Sequence, residues 1–180
     1  IVEAGFYLLA YLLGSIPTAY IIAKIGWGID IRKHGSGNVG TMNTRAVLGL
    51  LPALLVLLLD ILKGALAVFI ARYFGIDAML AACLAVVGHI YPLWLHFQGG
   101  KGLATALGAI LVTGQYLPII IFAAVWILTF PFFRQADQAN MSGTIVILLY
   151  SLFIGPNWYL ALLAAVISLR HGVVLYNHMV

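Results

Sequence analysis

The chain has 180 residues, 64% of them hydrophobic and 8% charged, with a mean hydropathy of +1.10 and a formal net charge of +4. Soluble domains carry about 25% charged residues, so the composition excludes a soluble globular fold and makes lipid the expected solvent. So small a net charge gives no reason to expect a nucleic-acid partner, and the single cysteine, Cys83, excludes a disulfide framework.

Crossing the hydrocarbon as helix takes about 20 apolar residues. Seven segments suit that role: about 3–25, 50–71, 78–96, 102–114, 117–133, 142–155 and 157–176. The expected fold class is an all-α polytopic bundle of about seven transmembrane helices, in a single integral-membrane domain over 1–180. The opening run contains Gly14, Ser15 and Pro17 and has no polar cleavage region behind it, so it reads as the first membrane helix rather than a removed signal. The fourth and sixth segments are short and are expected to be central or partly re-entrant. Breaks are expected at Gly75–Asp77, Gly99–Gly100, Gly114–Pro118, Gln135–Asn140 and Gly155–Asn157.

Alternate loops of such a bundle share a side. Lys24, Arg32, Lys33, Arg45, Lys101, Arg134 and Arg170 then fall together, Arg72 falls opposite, and Lys63 lies inside the second segment. Cationic loops stay cytoplasmic, so the N-terminus is expected outside and the C-terminus inside.

Two glycine-rich stretches face that cytoplasmic side. The first runs from Gly35 to Asn43 and reads GSGNVGTMN; the second, FQGGKG, runs from Phe97 to Gly102. Clustered glycines let backbone amides converge on an oxyanion, and Lys101 adds a full positive charge, so phosphate is the expected ligand. In the first loop Gly35, Gly37 and Gly40 free the backbone, Ser36 and Asn38 offer short polar side chains, and Asn43 and Arg45 follow. An arginine there could grip phosphate through its planar fork of donors. In the second, Gly99, Gly100 and Gly102 flank Lys101 just before an apolar helix that carries Thr105, and His89 closes the preceding one. It is not a Walker loop, because Gly102 rather than Ser or Thr follows the lysine. Either loop taken alone also suits an ordinary turn that uses Gly and Asn for positive φ.

Asp60 and Lys63, spaced i to i+3, share a helix face inside an apolar segment, where charges pair or line a polar cavity. A structural ion pair supporting the site is the preferred reading, ahead of a proton relay. Glu3, Asp30, Asp60, Asp77 and Asp137 are the acidic residues, and none lies in either glycine motif. No Ser–His–Asp triad is visible. The histidines have no i, i+4 histidine partner and the cysteine is remote, so no metal site and no cofactor are expected.

The motifs GSIP at 14–17, GSGNxGxxN at 35–43, DxxKG at 60–64 and GHxYPxWxxFxGGKGxAT at 88–105 resemble the bacterial PlsY family over roughly the first 110 residues. Those are integral-membrane acyltransferases of seven helices with the N-terminus outside, which agrees with the cation count. The resemblance implies a multi-pass protein of the bacterial inner membrane with its active site toward the cytoplasm. It implies transfer of a fatty acyl group from acyl phosphate to sn-glycerol 3-phosphate, giving lysophosphatidic acid and phosphate, the first step of phospholipid synthesis. Partners would be those two substrates and membrane lipid, with the acyl chain lying between helices; the oligomeric state stays open. The implied roles are these: Ser36 and the loop amides bind the reacting end of the donor, Lys101 binds phosphate, Asn38 and Asn43 shape the pocket, and His171 matches the histidine of a third motif.

Three departures stand out. The family reads N-x-x-R after its first motif, whereas Ala46 holds that arginine's place and Arg45 stands one residue earlier. The third motif, H-x-E-N in the family, is here His171 followed by Gly172, Val173 and Val174. The family serine before the sixth helix has no clean match, and Asn140 and Ser142 are the nearest candidates. Two rival readings follow: a divergent, inactive relative serving as a binding subunit, favoured by the altered third motif, or a phosphate-ester or lipid transporter. Seven spans without repeat symmetry fit a transporter poorly. With an acyl phosphate already activated, positioning and charge neutralisation can supply much of the rate. No protein nucleophile is therefore expected, and a substrate phosphate can act as base.

Overall fold

The computed structural model describes the backbone of residues 2–153 and 157–179, all-helical with no strand among them. The helices are α1 (Val2–Ser15), α2 (Thr18–Trp27), α3 (Thr41–Leu48), α4 (Leu50–Tyr73), α5 (Ala78–Ile90), α6 (Leu103–Thr113), α7 (Tyr116–Phe133), α8 (Ala136–Phe153) and α9 (Trp158–Met179). Gly155, expected as a break before the last helix, lies outside the described residues. The chain divides into two compact units, one up to Val112 and one from Thr113 onward.

In the first unit, the single span expected over 3–25 is bent. α1 and α2 meet at 43° across Ile16 and Pro17. Pro17 has no N–H to continue the ladder and cannot sit in a helix interior without cost. The freed Ile16 carbonyl accepts instead from the Thr18 amide at 3.0 Å and from Lys63 Nζ at 2.8 Å. Close helix crossings hold the unit together. A Cβ on Gly14 would collide with the Ala85 carbonyl, and one on Gly88 with the Tyr11 carbonyl, so α1 and α5 touch backbone to backbone. Gly64 against Thr105 and Gly108 against Ile61 do the same for α4 and α6. Small residues at such crossings are how helices associate in lipid, where apolar burial gives little drive.

The second unit is built from α7, α8 and α9, with α8 packed on both others. Gly143 of α8 lies against the Phe122 ring of α7, and Ser168 of α9 donates to Thr144 Oγ1 of α8 at 2.7 Å.

The count of seven spans needs correction. Among the described residues, four helices are long and apolar enough to cross a membrane, or five if the bent pair α1–α2 is one span. At about 1.5 Å per residue, α6 reaches only about half of the hydrocarbon thickness. α8 starts six residues before the expected 142, and its first turns carry Asp137, Gln138, Asn140 and Ser142, which dilute its apolar length. Asn140, expected in the break before this segment, is therefore helical.

Candidate active site

One side chain organises the first glycine loop. Asn43, buried in the first turns of α3, accepts the Ser36 amide on Oδ1 at 2.9 Å. Its Nδ2 is directed at the carbonyls of Ile31 (3.2 Å), His34 (3.0 Å) and Asn38 (3.0 Å). The chain wraps that carboxamide closely enough that Gly35, at φ 58°, has no room for a Cβ beside Asn43 Oδ1. Gly40 is extended and starts α3, and its carbonyl accepts the Thr44 hydroxyl at 3.0 Å. Ser36 and Arg45 are exposed, and Asn38 Oδ1 is buried without a hydrogen-bond partner.

The second loop is pinned to the end of α5. Gly99 and Gly100 donate their amides to the carbonyls of Ile90 (3.1 Å) and His89 (3.2 Å). A Cβ on Gly100 would fall on His89 Nε2 and lie 2.7 Å from the Val39 carbonyl oxygen. Val39 belongs to the first loop, so the two glycine motifs meet here, over the His89 ring. Gly102, at φ 90°, opens α6; Lys101 before it is half-buried, and Thr105 in the first turn is fully buried with no partner for its hydroxyl.

This changes what the glycines do. The amides of Ser36, Gly37, Gly99 and Gly100 are bonded inside the protein, so they do not converge on an oxyanion as expected. The small residues serve close approach instead. Donors left for an anion are the first-turn amides of α3 and α6, which a helix leaves without intrahelical acceptors, together with the Ser36 hydroxyl and the exposed Arg45, while Lys101 stands half-buried beside the start of α6.

Beneath the loops lies a buried polar cluster. Asp60 Oδ1 accepts from the Thr18 hydroxyl at 2.6 Å, pairs with Lys63 Nζ at 2.9 Å, and lies 3.5 Å from His89 Nδ1. The i, i+3 ion pair is thus present as expected, and it reaches further than sequence reasoning placed it: Lys63 braces the α1–α2 break and Asp60 backs the histidine under Gly100. A cavity of about 10 Å³, the size of one water, lies among Ser15, Thr18, Val39, Lys63, His89 and Gly99.

In the second unit, His171 is fully buried on α9, and its Nδ1 lies 3.0 Å from Asp137 Oδ1 at the start of α8. Its Nε2 is buried with no hydrogen-bond partner. Ser142 turns its hydroxyl back to the Gln138 carbonyl at 2.9 Å, and the half-buried Asn140 lies one turn along α8 from Asp137. Sequence reasoning found no acid near either motif. The structure sets one against each of two nominated histidines, because helix packing brings residues together that lie far apart in the chain. Asp60 carried a signal, its depth in an apolar run; Asp137 carried none. Among the described residues no three His, Cys, Asp or Glu side chains are grouped to hold a metal ion.

Outside the membrane segments, Asp30 caps a single 3-10 turn, Ile31–Lys33, and is gripped by Arg32 through Nε at 3.0 Å and Nη2 at 2.8 Å. That side-chain bond holds its carboxyl at about 2, below the usual aspartate value.

Apolar helices bearing a joined pair of glycine loops and two His–carboxylate pairs define the class, a helical membrane enzyme. The family described as "Glycerol-3-phosphate acyltransferase" matches residues 4–179. Relatives include the glycerol-3-phosphate acyltransferase of Wolbachia pipientis wMel, 41% identical over 91% of this chain and 88% of that protein. That of Geobacillus kaustophilus is 40% identical over 91% and 86%. Among solved structures, PlsY (YgiH), an integral membrane glycerol 3-phosphate acyltransferase, superposes in its glycerol 3-phosphate form with a TM-score of 0.82 and 34% identity, covering 99% of this chain and 90% of the other. Its lysophosphatidic acid form gives a TM-score of 0.79. The chain belongs to the PlsY family of glycerol-3-phosphate acyltransferases and is a membrane acyltransferase of lipid biosynthesis.

Proposed function

We propose that the acyl donor is an acyl phosphate and that transfer to sn-glycerol 3-phosphate is direct. The acceptor hydroxyl oxygen bonds to the acyl carbon, the bond from that carbon to the phosphate oxygen breaks, and lysophosphatidic acid and inorganic phosphate leave. The hydroxyl proton passes to a substrate phosphate oxygen, and no acyl-enzyme forms. Such a reaction asks the protein for position and positive charge rather than a nucleophile. Ser36 and the α3 amides would hold the reacting end of the donor, Lys101 and the α6 N-terminus a phosphate, with Arg45 as a second cation. His89, Gly99, Gly100, Gly102 and Thr105 would shape this pocket, as would Gly35, Gly37, Asn38, Gly40 and Asn43; His171, Asn140 and Ser142 would serve the acceptor.

The observation that best supports this reading is the meeting of the two glycine loops, where Gly100 lies against both Val39 and His89. We further propose that residues 1–180 act as one catalytic domain in a bacterial inner membrane, N-terminus outside and glycine loops toward the cytoplasm. The cation distribution supports that orientation.

The test is turnover in lipid with palmitoyl phosphate and glycerol 3-phosphate, following phosphate release and lysophosphatidic acid. Lys101→Ala is expected to lower kcat/KM at least 100-fold, in the range that removal of a charge-stabilising donor gives. Accumulation of acylated protein when glycerol 3-phosphate is withheld would overturn direct transfer.

A further inference from the structure

His171 raises a question that the proposed chemistry leaves open: what orients its buried imidazole? The residues that follow it, Gly172, Val173 and Val174, bear no hydrogen-bonding side chain. The ring is 0% exposed, so bulk solvent does not orient it. The group that meets it comes from the neighbouring helix. Asp137 Oδ1 stands 3.0 Å from Nδ1.

We propose that Asp137 is the positioning residue for His171, holding the imidazole with Nδ1 protonated and presenting Nε2 to the glycerol 3-phosphate acceptor. A carboxylate can only accept, so the nitrogen it faces must carry the proton. The neutral tautomer with hydrogen on Nε2 would set a ring lone pair against Asp137, and that contact excludes it. What remains is a ring whose second nitrogen is the one atom left for a ligand. Nε2 is buried and lacks a partner among the described residues, and leaving such an atom unsatisfied costs about 1–3 kcal/mol. A substrate oxygen recovers that cost only if the ring is held in register, which is what a carboxylate behind a working histidine does.

A purely structural clamp between α8 and α9 explains less. Ser168 and Thr144 already join these helices at 2.7 Å, and a clamp has no use for a buried nitrogen without a partner. The placement also suits Asp137 itself, because a carboxylate in the first turn of a helix is favoured by the helix dipole.

The proposal rests on the acyltransferase reading for its acceptor, and two readouts separate the two. The first is kinetic, with the full chain in lipid. Asp137→Asn, close in size and able to fold, is expected to lower kcat/KM for glycerol 3-phosphate about 10-fold or more, mainly through KM, with the donor KM unchanged. Asp137→Glu is expected to recover part of the loss. The double variant with His171→Gln is expected to be no worse than His171→Gln alone, because the two residues act as a unit. Wild-type kinetics in Asp137→Asn, or losses that add in the double variant, overturn the proposal.

The second readout is the ring-nitrogen NMR shifts of His171 in 15N-histidine-labelled protein, assigned by their loss in His171→Gln. Nδ1 is expected to be protonated in the wild type, and the Nε2-protonated form to appear in Asp137→Leu. Unchanged shifts overturn the proposal whatever the activity. Should palmitoyl phosphate give no turnover while the shifts behave as expected, the donor assignment fails and the role of Asp137 stands.

Discussion

Asn43 shows how much one residue can carry. Its carboxamide satisfies the Ser36 amide and faces the carbonyls of Ile31, His34 and Asn38, the first two of which also accept the amides of His34 and Gly37. Asn43→Ala removes the partner of the Ser36 amide and of the Asn38 carbonyl together, so a loss of about 2–4 kcal/mol is expected in denaturant or thermal unfolding, along with loss of transfer. Asp60 is the second case. Removing one member of a buried ion pair costs about 3–5 kcal/mol because the other charge is left unpaired. Asp60→Leu is therefore expected to melt far below the wild type, and the double variant Asp60→Leu/Lys63→Met to recover part of the difference. If the double variant melts lower still, the cluster matters through Thr18 and His89 more than through the pair. Asp30 acts through pH. Its folded-state value of about 2 lies below the unfolded 3.8, so its contribution is present above about pH 4 and is lost as pH falls through 2. The pair is partly exposed, which limits its worth to about 1 kcal/mol. Arg32→Met is expected to lower the melting temperature at pH 7 and to make no difference near pH 2. An equal loss at both values would show that packing of Arg32 over the Tyr20 ring, 5.2 Å from its centroid, is what matters.

At the scale of elements, glycine placement separates positions that bear contacts from positions that do not. Gly88 sits where α5 presses on Tyr11 and Ser15 of α1, whereas a Cβ on Gly5 of α1 would meet nothing within 4 Å. Gly88→Val is expected to cost about 3 kcal/mol through forced separation of the helices. Gly5→Ala is expected to be neutral or to stabilise slightly, since alanine is the better helix former. Comparable melting temperatures for the two variants would remove the crossing from the account of stability. The helices themselves were largely legible: the limits of α4, α6 and α7 fall within about two residues of the expected segments, because apolar run length and glycine or proline breaks are local signals. α3 and the early start of α8 were not legible. α3 is short and polar and is held by loop bonds, and the first turns of α8 look like loop until α9 packs beside them.

For the whole molecule, the apolar helices and the family agree on a membrane enzyme, and the span count among the described residues does not reach seven. The proposed orientation makes its own prediction. A cysteine introduced at Lys33 in a Cys83→Ala background is expected to resist an impermeant thiol reagent in intact cells and to react in inverted vesicles. One at Arg72 is expected to do the reverse, and the opposite pattern at both sites overturns the orientation. By itself the sequence determined the solvent, the helical class, the two glycine motifs and the family, since all of these depend on composition and on residues close together in the chain. Only the tertiary structure decided that Gly100 rests on Val39 and His89, that the amides of Gly99 and Gly100 bond to α5 rather than to a ligand, and that Asp60 and Asp137 each back a histidine. The two histidine–carboxylate pairings join residues 29 and 34 positions apart, and a chain pattern holds no record of which faces of two apolar helices will meet.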